Sequence, residues 1–287
     1  MSTPIRYFAL LATLLAASSA LHAQALDGRL KRIAETKTIA IAYRADAMPF
    51  SFANEKGQID GFTIDLCKRV VHSLERQLNV LLKVNWVPVT AQSRFDAVAK
   101  GRADMECGSS TVTLERLKQV DFSSIVFVES TGLMVKAASG VRSFSDLAGR
   151  KIAVIRGTTN ERAVHAQLKR RVLGATVVPF KSRDEAVEAL EQGKVDAFAS
   201  DRMLLIGAST AAKQRDTLAL LADQLSYEPY GIVLPRGDAA FRLAVNTGLS
   251  QVYASGEIAE IFRRWFGAFG PPPPIIEAIY VLGTIPE

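Results

Sequence analysis

The sequence predicts an α/β protein of two similar lobes, and three observations carry that expectation. Short β-branched runs alternate with helical patterns along most of the chain, one α/β unit recurs, and the last stretch returns to helix with no third sheet after it.

Taken in order, the chain opens on an apolar run at 7–17 behind Arg6, followed by Ser18, Ser19, Ala20 and the small-residue segment Ala23-Gln24-Ala25. This is the pattern of a secretory signal peptide over 1–25, with Ala23 and Ala25 as alternative cleavage residues. The run is well short of the roughly 20 apolar residues that span a bilayer. The mature chain is therefore expected to be soluble in an exported, oxidising compartment, the periplasm. There Cys67 and Cys107 are either bridged or two buried thiols, and the compartment favours the bridge.

Strand patterns at 38–43, 82–89 and 103–106 alternate with helix patterns at 63–78 and 93–100, which suits a largely parallel sheet. In the first helix Ile64, Cys67, Val71, Leu74 and Leu78 recur at spacings of three and four, so one face is apolar and Cys67 points inward. The octapeptide Ala97-Val98-Ala99-Lys100-Gly101-Arg102-Ala103-Asp104 matches Ala189-Leu190-Glu191-Gln192-Gly193-Lys194-Val195-Asp196 in kind. Each reads as a helix end, a glycine stop, a basic residue and a strand opening on Asp. The second unit begins near Phe144 and runs to about Tyr227. Beyond Pro235, helix patterns at 238–254 and 257–266 must pack on an earlier lobe, most simply the first. The chain then crosses between lobes at least twice, with 133–136 and 231–234 as the expected crossings and a ligand cleft between the lobes. The expected division is 26–134 with 235–287 for the first lobe and 135–234 for the second. After Gly270 the run Pro271 to Pro274 reads as the end of helix, leaving a loosely packed tail.

Composition narrows the function. With 35 Lys+Arg against 29 Asp+Glu, the net charge of +6 is spread along 287 residues without the basic stripe that nucleic acid requires. The histidines His22, His72 and His165 and the two cysteines have no metal-ligand spacing, so no metal or other cofactor is expected.

Three stretches carry binding chemistry. In Glu106-Cys107-Gly108-Ser109-Ser110-Thr111-Val112-Thr113-Leu114-Glu115-Arg116 a strand end passes through small hydroxyl residues to a helix start capped by Thr113. Open amides and hydroxyls there suit a carboxylate, which Arg116 could grip with two parallel hydrogen bonds; the alternative is a surface capping turn with Arg116 in solvent. In the second unit Arg156-Gly157-Thr158-Thr159-Asn160-Glu161 follows a strand, and a Thr158–Glu161 capping box leaves the amides of Thr159 and Asn160 facing outward. Asp201 ends a further strand, where its carboxylate either meets a ligand ammonium or caps the next helix. Nucleophile elbows, Walker loops and dinucleotide loops are missing from the sequence, so it reads as a binder before an enzyme.

These residues resemble a known family, the periplasmic amino-acid-binding proteins of ABC importers (solute-binding proteins, family 3), and most of all its glutamate/aspartate-binding branch. The resemblance covers roughly 26–274 and rests on Gly28-Arg29-Leu30-Lys31-Arg32-Ile33, Val89-Thr90-Ala91-Gln92-Ser93-Arg94, the Glu106 to Thr111 stretch with Glu115-Arg116, Gly157-Thr158-Thr159 and Pro229-Tyr230-Gly231. It implies the type II fold, two Rossmann-like lobes joined by a two-strand hinge. It further implies a monomer that delivers its ligand to an inner-membrane permease without chemistry. By resemblance Arg116 binds the ligand α-carboxylate with Thr111 and the Thr158-Thr159 turn, Asp201 takes the α-ammonium with the carbonyl of Ser109, and Arg44 and Arg94 face the side-chain carboxylate. Two positions depart from the family pattern: Arg183 stands where His is expected, inside a Ser182–Glu185 capping box, and Ala91 replaces a serine.

Arg44, Arg94, Arg116 and Arg183 against Asp201 leave a surplus of positive charge that one acidic ligand does not cancel, so at least one arginine should meet another acid or solvent. Such a site should reject lysine and arginine. The competing reading is an exported enzyme on the same scaffold, resembling a cyclohexadienyl dehydratase, with Glu106, Glu129 or Glu228 as its acid or base. A binder of another amino acid, or of a dicarboxylate lacking the amine, is the third.

Overall fold

The computed structural model describes residues 26–286; the export signal expected at 1–25 lies outside them. The chain runs through α1 (Gly28–Thr36), β1 (Thr38–Arg44), the short strands β2 (Asp46–Ala47), β3 (Ser51–Ala53) and β4 (Ile59–Asp60), then α2 (Phe62–Leu78), β5 (Lys83–Val89), α3 (Arg94–Ala99), β6 (Met105–Glu106) and β7 (Asp121–Glu129). A second series follows: β8 (Thr131–Lys136), β9 (Lys151–Ile155), α4 (Thr159–Arg171), β10 (Thr176–Phe180), α5 (Arg183–Glu191), β11 (Ala197–Asp201), α6 (Arg202–Ala211) and β12 (Leu218–Leu220). Last come β13 (Glu228–Leu234), α7 (Ala239–Ala254), α8 (Glu257–Phe266) and α9 (Pro274–Gly283).

Two five-stranded sheets result, in the orders β5-β1-β6-β13-β7 and β10-β9-β11-β8-β12. They are built to one plan. In each, the first strand of the unit pairs in parallel with two others, and a fourth strand, β13 or β8, runs antiparallel to both its neighbours. The largely parallel sheet expected from the alternation is thus interrupted once per sheet. The internal repeat has a structural counterpart: Gly101 and Gly193 turn the chain at φ +75 and +69, a left-handed conformation glycine adopts without strain. The following aspartates act alike, since Asp104 accepts from the Ala40 amide at 2.7 Å and Asp196 from the Lys151 amide at 2.8 Å.

Between the sheets the chain crosses at Ser130, the single residue separating β7 from β8, and again in the segment 221–227 between β12 and β13. The expected crossings at 133–136 and 231–234 are instead interior to β8 and β13, so 131–134 belongs with the second sheet and 228–234 with the first. The reason is physical: the run from Val126 to Val135 is apolar at both ends, and only the short segment Glu129-Ser130-Thr131-Gly132 marks the change of sheet.

Helix α2 buries Ile64, Cys67, Val71 and Leu74 against the first sheet, as its periodicity requires. Helices α7 and α8 pack on the same half, with Ser73 Oγ donating to Gln251 Oε1 (2.9 Å) and Trp265 Nε1 to Asp65 Oδ2 (2.9 Å). The tail is not loosely packed. Pro274 occupies the first position of α9, where its missing N–H costs no hydrogen bond, and Ile276 and Tyr280 are buried, the latter with its ring 5.3 Å from that of Tyr253. The proline run begins a helix as well as ending one. No helix among the described residues is long and apolar enough to cross a membrane.

Candidate functional site

The site is assembled from strand ends and the turns that follow them. On the first half, Arg44 ends β1, Arg94 opens α3, and the 106–111 segment leaves β6. A disulfide from Cys107 to Cys67 ties that segment to the inward face of α2. At Gly108 a Cβ would lie 2.1 Å from Glu106 Oε1 and 3.1 Å from Arg44 Cγ, so a larger residue would displace the Glu106 carboxylate. On the second half, the turn after β9 brings Thr158 and Thr159, α5 begins with Arg183, and β11 ends at Asp201.

All the predicted residues but Ser109 are placed by identifiable bonds. Arg94 Nε donates to Ser110 Oγ at 2.8 Å and its Nη1 to the Ala91 carbonyl, while Ser110 Oγ donates to Glu106 Oε2 at 2.8 Å. Arg116 Nη1 donates to the Thr111 carbonyl at 2.7 Å, and its Nη2 is buried without a partner. Both guanidinium groups stand over the Phe95 ring, 4.4 and 4.7 Å from its centroid. Ser109 is buried with its hydroxyl unpartnered. Thr113 Oγ1 accepts from the Arg116 amide at 3.2 Å, but in place of the expected helix there is a three-residue 3-10 turn with Glu115 at its N-cap, and Arg116 is buried, which removes the surface-turn reading.

On the second half, Thr158 caps α4 by accepting from the Glu161 amide (3.2 Å), while Glu161 accepts from Gly157 N (2.7 Å). Thr159 Oγ1 meets Thr111 Oγ1 at 3.3 Å, and Thr111 Oγ1 also donates to Glu228 Oε2 at 2.7 Å. Asp201 makes no side-chain cap for α6; its Oδ1 accepts from Asn160 Nδ2 at 3.0 Å. Arg183 reaches back to the first half, where its Nη1 donates to Asp46 Oδ2 at 3.2 Å and to the Asp46 carbonyl at 3.3 Å. Arg44 donates to Asp46 Oδ1 through Nε (3.0 Å) and Nη2 (2.6 Å). Gln92 Nε2 donating to the Arg156 carbonyl (2.9 Å) is another bond between the halves.

All nine predicted residues are therefore brought to the facing ends of the two sheets, and all but half-buried Thr159 are buried. Burial and proximity shift their ionisation. Burial pulls Arg94 well below its ordinary value, and the neighbouring cations Arg116, Arg44 and Arg183 pull it further. Arg116 is lowered to about 10, by burial and then by Arg162. Asp201 is raised to about 6 by burial and by Glu228. Burial would raise Asp46 too, but Arg183 and Arg44 outweigh it and hold its carboxylate at about 2.

Sequence reasoning missed the acids that balance this cluster. Asp46 is the acid that the charge surplus demanded, although nothing but its position two residues after Arg44 pointed to it. Of Glu106, Glu129 and Glu228, singled out as possible catalytic groups, the last two have both oxygens engaged in holding the chain. Glu228 accepts from Thr111, Ser226 (2.6 Å) and Thr131 (3.4 Å), and Glu129 accepts the amides of Ser130 (3.1 Å) and Met203 (3.0 Å). Glu106 Oε1 alone is buried and unpartnered. Among the described residues no group of His, Cys, Asp and Glu could hold a metal ion.

The family model of bacterial extracellular solute-binding proteins, family 3, matches residues 39–268. The chain belongs to this family. It is similar to an L-glutamate/L-aspartate-binding protein of Pseudomonas aeruginosa, at 38% identity over 89% of this chain and 85% of the relative. It is similar too to a glutamate/aspartate import solute-binding protein of Escherichia coli, at 31% identity over 95% of this chain and 89% of that one. Among solved structures, an ancestral amino acid-binding protein, a precursor of cyclohexadienyl dehydratase, superposes with a TM-score of 0.72 at 30% identity, over 83% of this chain and all of the other. The fold is the two-lobed type II fold of periplasmic binding proteins, with the two sheets as its Rossmann-like lobes.

Proposed function

We propose that this protein is the periplasmic solute-binding component of an ABC importer, closing its lobes on glutamate or aspartate and delivering it to an inner-membrane permease. It acts as a monomer and performs no chemistry. The observation that carries the reading is the buried cluster of Arg44, Arg94 and Arg116 on one lobe and Arg183 on the other, gathered around a site that also holds Asp201. Similarity to glutamate/aspartate-binding relatives supports it.

In this reading the buried, unpartnered Nη2 of Arg116 takes one oxygen of the α-carboxylate, with Thr111, Thr158 and Thr159 around it. Asp201 and the Ser109 carbonyl receive the ammonium, and Arg94 with Arg44 faces the side-chain carboxylate. A ligand touching both lobes stabilises closure by the contacts it makes only in the closed form.

Thermal unfolding of the signal-free, refolded protein tests the proposal. At a thousandfold excess over Kd, L-glutamate or L-aspartate should add about 4 kcal/mol and raise Tm by roughly 10 °C, while L-arginine adds nothing. No shift with either acid, or turnover of a cyclic acid such as prephenate, would overturn it.

A further inference from the structure

Arg44 and Arg183 lie on opposite lobes, yet both donate to one carboxylate. Asp46 Oδ1 accepts two bonds from Arg44 and Asp46 Oδ2 one from Arg183. The arginine side chains are 2% and 4% exposed and Asp46 is 21% exposed, so two buried cations meet on one half-buried acid rather than on a surface pair. Asp46 sits on the short strand β2, directly after β1, so the first lobe supplies the acid that the second lobe grips. The remaining arginines do not share it: Arg94 is engaged by Ser110 and Ala91, and Arg116 by Thr111.

We infer that Asp46 sets the charge selectivity of the site, by giving Arg44 and Arg183 a carboxylate from the protein itself in place of one from the ligand, and by tying the two lobes together there. The inference rests on the acidic-amino-acid reading above and deepens it. Without Asp46, a ligand with an uncharged side chain would leave two buried guanidinium groups unpaired, a severe penalty that a carboxylate side chain would relieve. With Asp46 in place that penalty is already removed, so the amide-bearing ligand is rejected less strongly. Asp46 is a positioning residue that acts on the ligand through its two arginines.

The test is the ratio of Kd for L-glutamine to Kd for L-glutamate, measured by calorimetry in the wild type and in Asp46→Asn. A purely structural loss would weaken both ligands together and leave the ratio unmoved. The expected result is a ratio about tenfold higher in Asp46→Asn, and a lower ratio in Arg183→Gln, where a cation is lost and Asp46 stays with Arg44. Asp46→Ser serves if Asp46→Asn does not fold, as judged by its unfolding transition. A ratio unchanged or lower in the Asp46 variant overturns the inference. Wild-type silence toward glutamate, aspartate, glutamine and asparagine would refute the acidic-amino-acid reading instead. The tie is then read by small-angle X-ray scattering on ligand-free protein: a wild type more compact than Asp46→Asn supports it, and equal radii of gyration overturn it.

Discussion

Replacing Cys67 and Cys107 together by alanine should cost the protein about 4 kcal/mol. The two residues are separated by 40 positions in sequence, and closing a loop of that length in the unfolded chain removes about 13 cal/mol/K of entropy, about 3.9 kcal/mol at room temperature. Both side chains are fully buried, so alanine avoids placing a new polar group in the core. For a protein of this size each kcal/mol moves Tm by about 2–4 °C, which puts the expected fall at roughly 8–16 °C. Differential scanning calorimetry of the double variant reads it, and thiol titration of the denatured, unreduced wild type should find no free thiol. The consequence extends to the site, because Cys107 anchors the segment carrying Ser109, Ser110 and Thr111. A fall in Tm of less than about 3 °C would refute the loop-closure reasoning.

Arg116→Ala should weaken glutamate binding by at least about thirtyfold, since truncating one partner of a buried hydrogen-bonded charge pair costs roughly 2–5 kcal/mol; affinity within a few-fold of wild type by calorimetry removes Arg116 from the site. Glu129 is raised to about 8 by burial and by Asp201, so between about pH 4.5 and 8 the folded form holds a proton that the unfolded form has lost. Its contribution to stability is full below about pH 4.5 and is lost as pH rises toward 8; Glu129→Gln should flatten the fall of Tm measured across that window, and an unchanged slope contradicts the assignment. Asp201, raised to about 6, should release a proton when it receives an ammonium, so affinity rises with pH up to about 6 and Asp201→Asn loses that dependence. Calorimetry in buffers of different ionisation enthalpy at pH 5 reads the released proton, and buffer-independent heats would contradict it.

The parts of this architecture that were legible in the sequence are those written in local chemistry. Periodicity placed α2 within one residue, because its buried face must repeat every three to four positions. The repeated glycine-basic-aspartate endings exposed the duplicated plan, because both aspartates bond the backbone of the neighbouring strand. The turns at 106–111 and 157–159 stood out because small hydroxyl residues at strand ends have few structural uses besides capping and binding. The parts that stayed hidden depend on long-range pairing. Only a short polar segment around Ser130 separates β7 from β8, and the partner of Arg183 is 137 residues away at Asp46. A proline run reads as a stop from the helix before it, and equally as the start of α9 when Tyr253 is there to pack against Tyr280.

The measurement that bears most directly on the central claim is calorimetric titration of the mature protein, refolded free of carried-over ligand, with L-glutamate, L-aspartate and L-arginine. Saturable one-to-one binding of the two acids, with no heat from arginine, is the predicted result. Silence toward both acids would leave the two-lobed fold standing and contradict the assignment of the arginine cluster to an acidic amino acid.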